Sequence, residues 1–318
     1  MATIEEWTVV PSADGELRAL VHVPDEAPGP LPGVVLVDGS GEGACDDWGE
    51  WPGRFADHGA VVLTHDKPGC GGSPGNWLTQ SFADRARESL AALGVLRGHP
   101  AVSSRPTGLV GFSQGGWVSL LAATLEASVV EFVVTLSGPG VGPAAQDRDR
   151  IERALLARGT TEKELADALA WIDERARRLL AGEDVTPVLA DQARLSARAW
   201  YRGATEYFDN EPALGFLARN LDFDPAPVLG QVTCPVLALF GADDTLVPIA
   251  ESVTAYTTHL RALPGSGHGI AVFPRADHGL FTADPDPEVP RTDQLAPGFL
   301  AMVAGFIADT ARSPASMR

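Results

Sequence analysis

Residues 108–123 read GLVGFSQGGWVSLLAA, and the turn in the middle of this stretch decides the fold. An apolar run, Thr107–Phe112, enters like a strand. GGWVSLLAATLEA leaves like a helix that is apolar nearly all round, which predicts a buried helix. Ser113 stands at the junction, with Gly111 and Gly115 two residues away on either side. So abrupt a turn crowds the serine backbone, and glycine at both flanks removes the Cβ atoms that would clash. The turn presents Oγ at the C-terminal edge of a sheet, beside a helix N-terminus whose free N–H groups favour negative charge. Strain at such a point serves the exposure of a nucleophile. The alternative is a serine that only caps the helix.

The Gly-x-Ser-x-Gly spacing is weak without that context, and the chain carries its own demonstration. Gly71-Gly72-Ser73-Pro74-Gly75 fits the spacing too. Asp66-Lys67-Pro68-Gly69-Cys70 separates it from the preceding strand, however, and Pro74 and Asn76 start no helix. Ser73 is read as a loop serine.

Outward from Ser113, short apolar runs bounded by Gly, Pro and Asp recur: Leu17–Val23, Gly33–Val37, Ala60–Thr64, Phe132–Leu136, Val236–Phe240 and Gly269–Phe273. They are rich in Val and Leu without strict alternation, as strands covered on both faces of a mostly parallel sheet are. Helical patterns lie between them, at Ser81–Leu96, Gly115–Glu126, Ala250–Thr258 and Gly298–Thr310. Strand alternating with helix predicts a doubly wound α/β sheet. From about Gly142 to Gln231 the alternation stops and no strand is found. Thr161-Glu162-Lys163-Glu164 has capping-box spacing, and Leu165, Leu169, Ile172, Ala176 and Leu179 then keep one apolar face. A second piece, Asp191–Phe208, holds Trp200, Tyr201, Tyr207 and Phe208. The expected organisation is a core of residues 1–141 and 232–318 with a helical cap, 142–231, inserted between two late strands; an independent helical domain is the alternative. The tail Ser313–Arg318 is expected to fray.

A serine hydroxyl is a poor nucleophile until a base takes its proton. In a strand–turn–helix setting of this kind the partners follow in the order serine, acid, histidine. His22, His58, His65 and His99 precede Ser113, and His259 lies in a predicted helix, which leaves His268 and His278. ALFGADDTLVP is a strand that ends in two aspartates. Asp244 is favoured to orient the imidazole, and Asp243 is left to the turn. His268 precedes a parallel strand and so falls at the wrong edge of the sheet, whereas His278, in AVFPRADHGL, follows that strand. His278 is therefore the expected base. An oxyanion needs two preorganised donors. The backbone N–H of Gln114 directly follows the serine and is the first donor, and the N–H of Ser40, between Gly39 and Gly41 in GVVLVDGSGEG, is the favoured second donor. A plain Gly-rich turn is the alternative for that loop.

The 318 residues are 45% apolar and carry a formal charge of −18. A surface so acidic repels nucleic acid and anionic membrane. Three widely spaced cysteines, Cys45, Cys70 and Cys234, predict no disulfide framework, and no zinc-binding spacing occurs. MATIEEWTVV has neither the basic start nor the apolar core of a secretory signal. No run reaches the length of a membrane helix. The expected protein is cytoplasmic, with no metal and no cofactor; no oligomeric state follows from the sequence.

The motifs VVLVDGSG, VVLTHDKPGCGGS, GLVGFSQGGW, PVLALFGADDTLVP and FPRADHGL, in this order over nearly the whole chain, resemble the α/β-hydrolase superfamily. Within it the chain resembles the dienelactone-hydrolase and acyl-CoA thioesterase/bile-acid acyltransferase-like group, which borders the prolyl-oligopeptidase-type peptidases. Relatives often have His-Gly where this chain has Asp38-Gly39, and Arg where it has Pro68. The resemblance implies a small-molecule acyl ester or thioester as substrate. Ser113 would attack, His278 would move the proton and Asp244 would hold the imidazole. A peptidase or amidase with the same three residues, or a cyclase or acyltransferase whose acyl-enzyme goes to a nucleophile other than water, are the alternatives. Trp200, Tyr201, Tyr207 and Phe208, with Trp48 and Trp51, are named as pocket-lining aromatics or, equally, as packing residues.

Overall fold

The computed structural model describes residues 3–25, 29–102, 105–260, 267–282 and 284–312. In chain order the core begins with β1 (Thr3–Ser12), β2 (Gly15–Pro24), β3 (Gly33–Val37), α1 (Trp51–Asp57), β4 (Val61–His65), α2 (Phe82–Arg97), β5 (Thr107–Phe112), α3 (Gln114–Leu125) and β6 (Phe132–Leu136). Six helices follow: α4 (Pro143–Ala157), α5 (Glu162–Leu180), α6 (Val185–Arg194), α7 (Tyr201–Thr205), α8 (Glu211–Asn220) and α9 (Pro225–Leu229). The chain then returns through β7 (Val236–Gly241), α10 (Ile249–His259), β8 (Gly269–Phe273) and α11 (Phe299–Arg312). This is the alternating α/β architecture that the sequence predicts, with strand-free sequence where the cap was expected. The tail Ser313–Arg318 lies outside the described residues.

The eight strands form one sheet in the order β1-β2-β4-β3-β5-β6-β7-β8. The pairs β1–β2 and β2–β4 are antiparallel, and all the others are parallel. Successive side chains of the central strands point to opposite faces. Val35, Val37, Leu109, Val133 and Ala238 pack under α2 and α3, against Ala86, Leu93, Trp117 and Leu120. Val34, Leu36, Val110, Val134 and Leu239 pack on the other face, against Phe55 of α1 and Phe299, Val303 and Ile307 of α11. Both faces are covered, which is why these strands read as continuous apolar runs.

Two elements of the core escape the sequence reading. β1 is an edge strand with Ile4, Trp7 and Val9 exposed, so TIEEWTVVPS shows no apolar face. α1 is about two turns that begin Trp-Pro-Gly, and Pro52 sits in the first turn where its missing N–H costs nothing. The capping-box signal at the start of α5 does hold. Thr161 Oγ1 accepts from Glu164 N–H, and the Glu164 carboxylate accepts from Thr161 N–H. Leu169, Ile172 and Leu179 of α5 are buried between the inserted helices. No described helix is long and apolar enough to cross a membrane.

The glycines of the β5–α3 turn are sterically required. A Cβ on Gly115 would overlap the Val37 carbonyl oxygen and lie 2.8 Å from that of Asp38. One on Gly111 would overlap the Gly115 carbonyl and lie 2.5 Å from Ser119 Oγ. All of these obstacles but Ser119 Oγ are backbone atoms and cannot step aside. Gly115→Ala is expected to cost about 3 kcal/mol or more, or to prevent folding. Gly94→Ala, on an exposed turn of α2 with nothing within 4 Å, should instead stabilise by about 1 kcal/mol. Thermal and denaturant unfolding of the two variants checks both signs.

Candidate active site

The crossovers from β3 diverge. The chain passes over one face through α1 to β4, then over the other through α2 to β5, which lies on the opposite side of β3. The carboxyl ends of β3 and β5 therefore border a crevice, the place where open α/β sheets hold ligands. Ser113 and the loop 38–41 both sit there.

Ser113 has φ +50° and ψ −118°, a conformation costing about 1–3 kcal/mol that persists only when its surroundings enforce it. Its own N–H donates to Leu136 O at 2.8 Å, and Gly116 N–H donates to Ser113 O at 2.8 Å. The hydroxyl makes no capping hydrogen bond to α3, so the helix-cap alternative does not account for it. The other serine, Ser73, is structural: its Oγ donates to Asp66 Oδ2 at 2.7 Å and accepts from Arg18 N–H at 2.8 Å.

Asp244 follows β7 and is 2% exposed. Its Oδ1 accepts from the N–H groups of Leu246 (2.7 Å) and Val247 (3.1 Å), and its Oδ2 lies 2.8 Å from His278 Nδ1. With a proton on Nδ1 donated to that carboxylate, Nε2 keeps a lone pair and can act as a base. Asp243 is exposed and belongs to the turn. His268 lies at the far edge of the sheet, where its Nδ1 accepts from Val236 N–H at 3.1 Å; it is half-buried rather than a solvent-exposed turn residue. Ser113, His278, Ser40 and Gln114 line one cavity of about 570 Å³.

Two buried cations that the sequence reading misses shape the loop 38–41. Lys67 Nζ donates to Gly39 O at 2.7 Å and Gly41 O at 2.6 Å, and lies 3.3 Å from Asp38 Oδ2. Arg85 donates to Asp38 O and Gln114 Oε1, both at 2.7 Å. A trans peptide is planar, so pinning the Gly39 carbonyl on Lys67 turns Ser40 N–H the opposite way. Gly39 N–H is taken by Asp38 Oδ1 at 2.7 Å, which removes it from the free donors of the loop. Gln114 is the first residue of α3, so its N–H has no intrahelical acceptor. Asp38, the departure from the common His-Gly pair, is thus a partner of Lys67. The only hint of this in the sequence is the Lys of DKPGCGGS, whose target no local pattern identifies.

The aromatic candidates divide. Tyr207 and Phe208 line the cavity, joined by Trp77, Phe82, Trp117 and Phe216. Trp200 is buried among the inserted helices, with Tyr201 packed beside it. Trp48 and Trp51 pack edge-on against Phe112, on the side of the second core. Among the described residues one cluster has the spacing of metal ligands: Cys45, Asp46 and Asp66. Asp66 Oδ1 already accepts from Cys45 N–H at 2.7 Å, and its Oδ2 is taken by Ser73. Burial and the neighbouring carboxylates push the Cys45 thiol up to about 12, so it stays protonated and is a poor ligand.

Burial, reinforced by Arg85 and opposed by Asp38, brings the Lys67 ammonium from 10.5 down to about 8. Between those two values the unfolded chain holds a proton that the folded protein has released, so this group makes stability rise with pH across that window. The stability difference between the wild type and Lys67→Met, from urea titrations, should shift in favour of the wild type from pH 8 to pH 10. A flat difference would contradict the depressed value.

The sequence profile of the Alpha/beta hydrolase family matches residues 34–290. No curated protein matches the sequence at a significant level. Among solved structures, DcsB in complex with its substrate analogue superposes with a TM-score of 0.64 at 16% identity, covering 98% of this chain and 100% of that one. An esterase from Pyrococcus furiosus gives 0.61 at 16% identity, with 96% and 91% covered. A putative dienelactone hydrolase from Klebsiella pneumoniae gives 0.57 at 18% identity, with 97% and 99% covered. At these identities the likeness is one of fold.

Proposed function

The chain belongs to the Alpha/beta hydrolase family, and from that premise we propose that it is a serine hydrolase of carboxylic esters or thioesters. Ser113 Oγ attacks the carbonyl while His278 Nε2 takes its proton and later returns it to the leaving group. Asp244 holds the imidazole in the Nδ1–H tautomer and stabilises its cationic form. The N–H groups of Gln114 and Ser40 bind the oxyanion. Water, activated by His278, then releases the acid from the acyl-enzyme. These steps call for no metal and no organic cofactor.

The observation that carries the reading is the 2.8 Å contact between His278 Nδ1 and buried Asp244, on an imidazole that shares a cavity with the strained Ser113. An acid with two backbone N–H groups on Oδ1 cannot swing away from the histidine. The cap reading of residues 142–231 draws support from Phe216 and Leu217 of α8 and from Tyr207 and Phe208 in the turn before it, which all wall the same cavity. Those walls make an apolar acyl or alcohol part the expected occupant.

Ser113→Ala is expected to lower kcat for p-nitrophenyl esters by roughly 10⁴-fold or more. A fluorophosphonate probe should label Ser113 and no other residue, read by peptide mass spectrometry. Asp244→Asn should leave the fold intact, seen by circular dichroism, and cost about 10⁴ in kcat through the wrong tautomer. Turnover that survives in Ser113→Ala would overturn the reading. Faster cleavage of aminoacyl-nitroanilides than of matched esters would move the assignment to a peptidase. Products that carry an added amine or alcohol in place of water would move it to an acyltransferase or cyclase.

A further inference from the structure

One guanidinium on the cavity wall has no role in the chemistry above. Arg150, on α4, lines the cavity, and its Nη2 donates to Asp147 Oδ1 at 2.8 Å. The second oxygen of that carboxylate is not free to neutralise it further. Asp147 Oδ2 accepts from Nη2 of Arg175 at 2.7 Å, and Arg175 is 1% exposed. Two guanidinium groups, one from α4 and one from α5, thus share one carboxylate, and this cluster of three side chains carries an excess of one positive charge. Asp38, the other carboxylate on the cavity, is already matched by Lys67. The Arg150 Cζ lies over the Tyr207 ring, 4.4 Å from its centroid, and the arginine side chain is 13% exposed. Among the described residues, its Nε and Nη1 donate to no protein acceptor.

A partly buried cation in excess of its counter-charge costs desolvation energy that an incoming anion recovers. A planar guanidinium suits a carboxylate, and one surplus charge matches a monoanion rather than a phosphate dianion. Among the other lining residues, Trp117, Leu136, Phe216 and Leu217 form an apolar stretch of wall. We propose that Arg150 reads a carboxylate on the substrate, so that the preferred ester or thioester has an apolar part ending in an anionic group. This rests on the reading of Ser113 as the nucleophile. A protein of charge −18 that nevertheless turns a cation into its cavity would take such a substrate by local rather than overall electrostatics.

The test uses paired p-nitrophenyl and alkyl esters of equal chain length that end in either a carboxylate or a methyl group, the carboxylate being placed on the acyl part in one series and on the alcohol part in the other. In at least one series the wild type should favour the carboxylate ester about tenfold to a hundredfold in kcat/KM. The preference should shrink as salt is raised. In Arg150→Gln the ratio should fall to about one, and Arg150→Lys should restore part of it. If the Gln variant does not fold, inhibition of the wild type by dicarboxylates against monocarboxylates of the same length reads the same charge, and dicarboxylates should bind about tenfold tighter. Turnover that depends on Ser113 but shows no carboxylate preference in either series overturns the role of Arg150 and leaves the hydrolase reading standing. Turnover that persists in Ser113→Ala overturns that reading instead.

Discussion

No side chain fits between the first turn of α3 and the carboxyl end of β3. The backbone at Gly115 lies directly on the carbonyls of Val37 and Asp38, and a Cβ on Gly39 would lie 3.2 Å from the Phe112 carbonyl and 3.5 Å from Ser113 Cβ. The parallel ladder sets this contact up, since Val37 and Gly111 are register partners at the ends of β3 and β5. The turn that carries Ser113 and the loop that carries Ser40 therefore meet backbone to backbone. Interiors packed this closely transmit any added volume as strain. Everything else at the crevice is arranged around two segments that cannot separate or slide.

The same contact explains where the buried charges go. Loop 38–41 turns its carbonyls inward, away from solvent, and buried carbonyls need donors. Lys67 and Arg85 supply them, and Asp38 supplies a negative charge close to both. Burying an ammonium is expensive, which is why Lys67 is drawn down toward neutrality even beside a carboxylate. A second group of charges repeats the pattern among the inserted helices, where Arg175 and Arg150 converge on Asp147. An acidic chain has thus turned several of its scarce cations toward the crevice, and its surplus of acids lies elsewhere.

Much of this was legible locally. The runs Gly33–Val37, Phe132–Leu136 and Gly269–Phe273 are strands with the bounds that their composition predicts. Thr161 and Glu164 form the expected reciprocal cap. The choice of His278 over His268 followed from which end of a parallel strand each occupies, and Asp244 was favoured over Asp243 for standing three residues before Val247; the structure places Asp244 and His278 2.8 Å apart. β1 escaped because an edge strand exposed on both faces carries no apolar alternation. The aromatics escaped because their size says that they are buried but not against what. Trp200 fills the space between helices, while Tyr207 and Phe208, a few residues on, wall the cavity.

The division has a physical cause. By itself, the sequence determined those features whose energetics are settled within a few residues: the strand runs, the glycine-flanked turn, the helix caps and the order of the site residues along the chain. Only the tertiary structure decided which oxygen atoms receive Lys67, Arg85 and Arg150. Lys67 and Gly39 are 28 residues apart, and Arg85 and Asp38 are 47 apart. A long cationic side chain can reach any acceptor within several ångströms, so its partner is chosen by how the elements pack, a choice that no local pattern records.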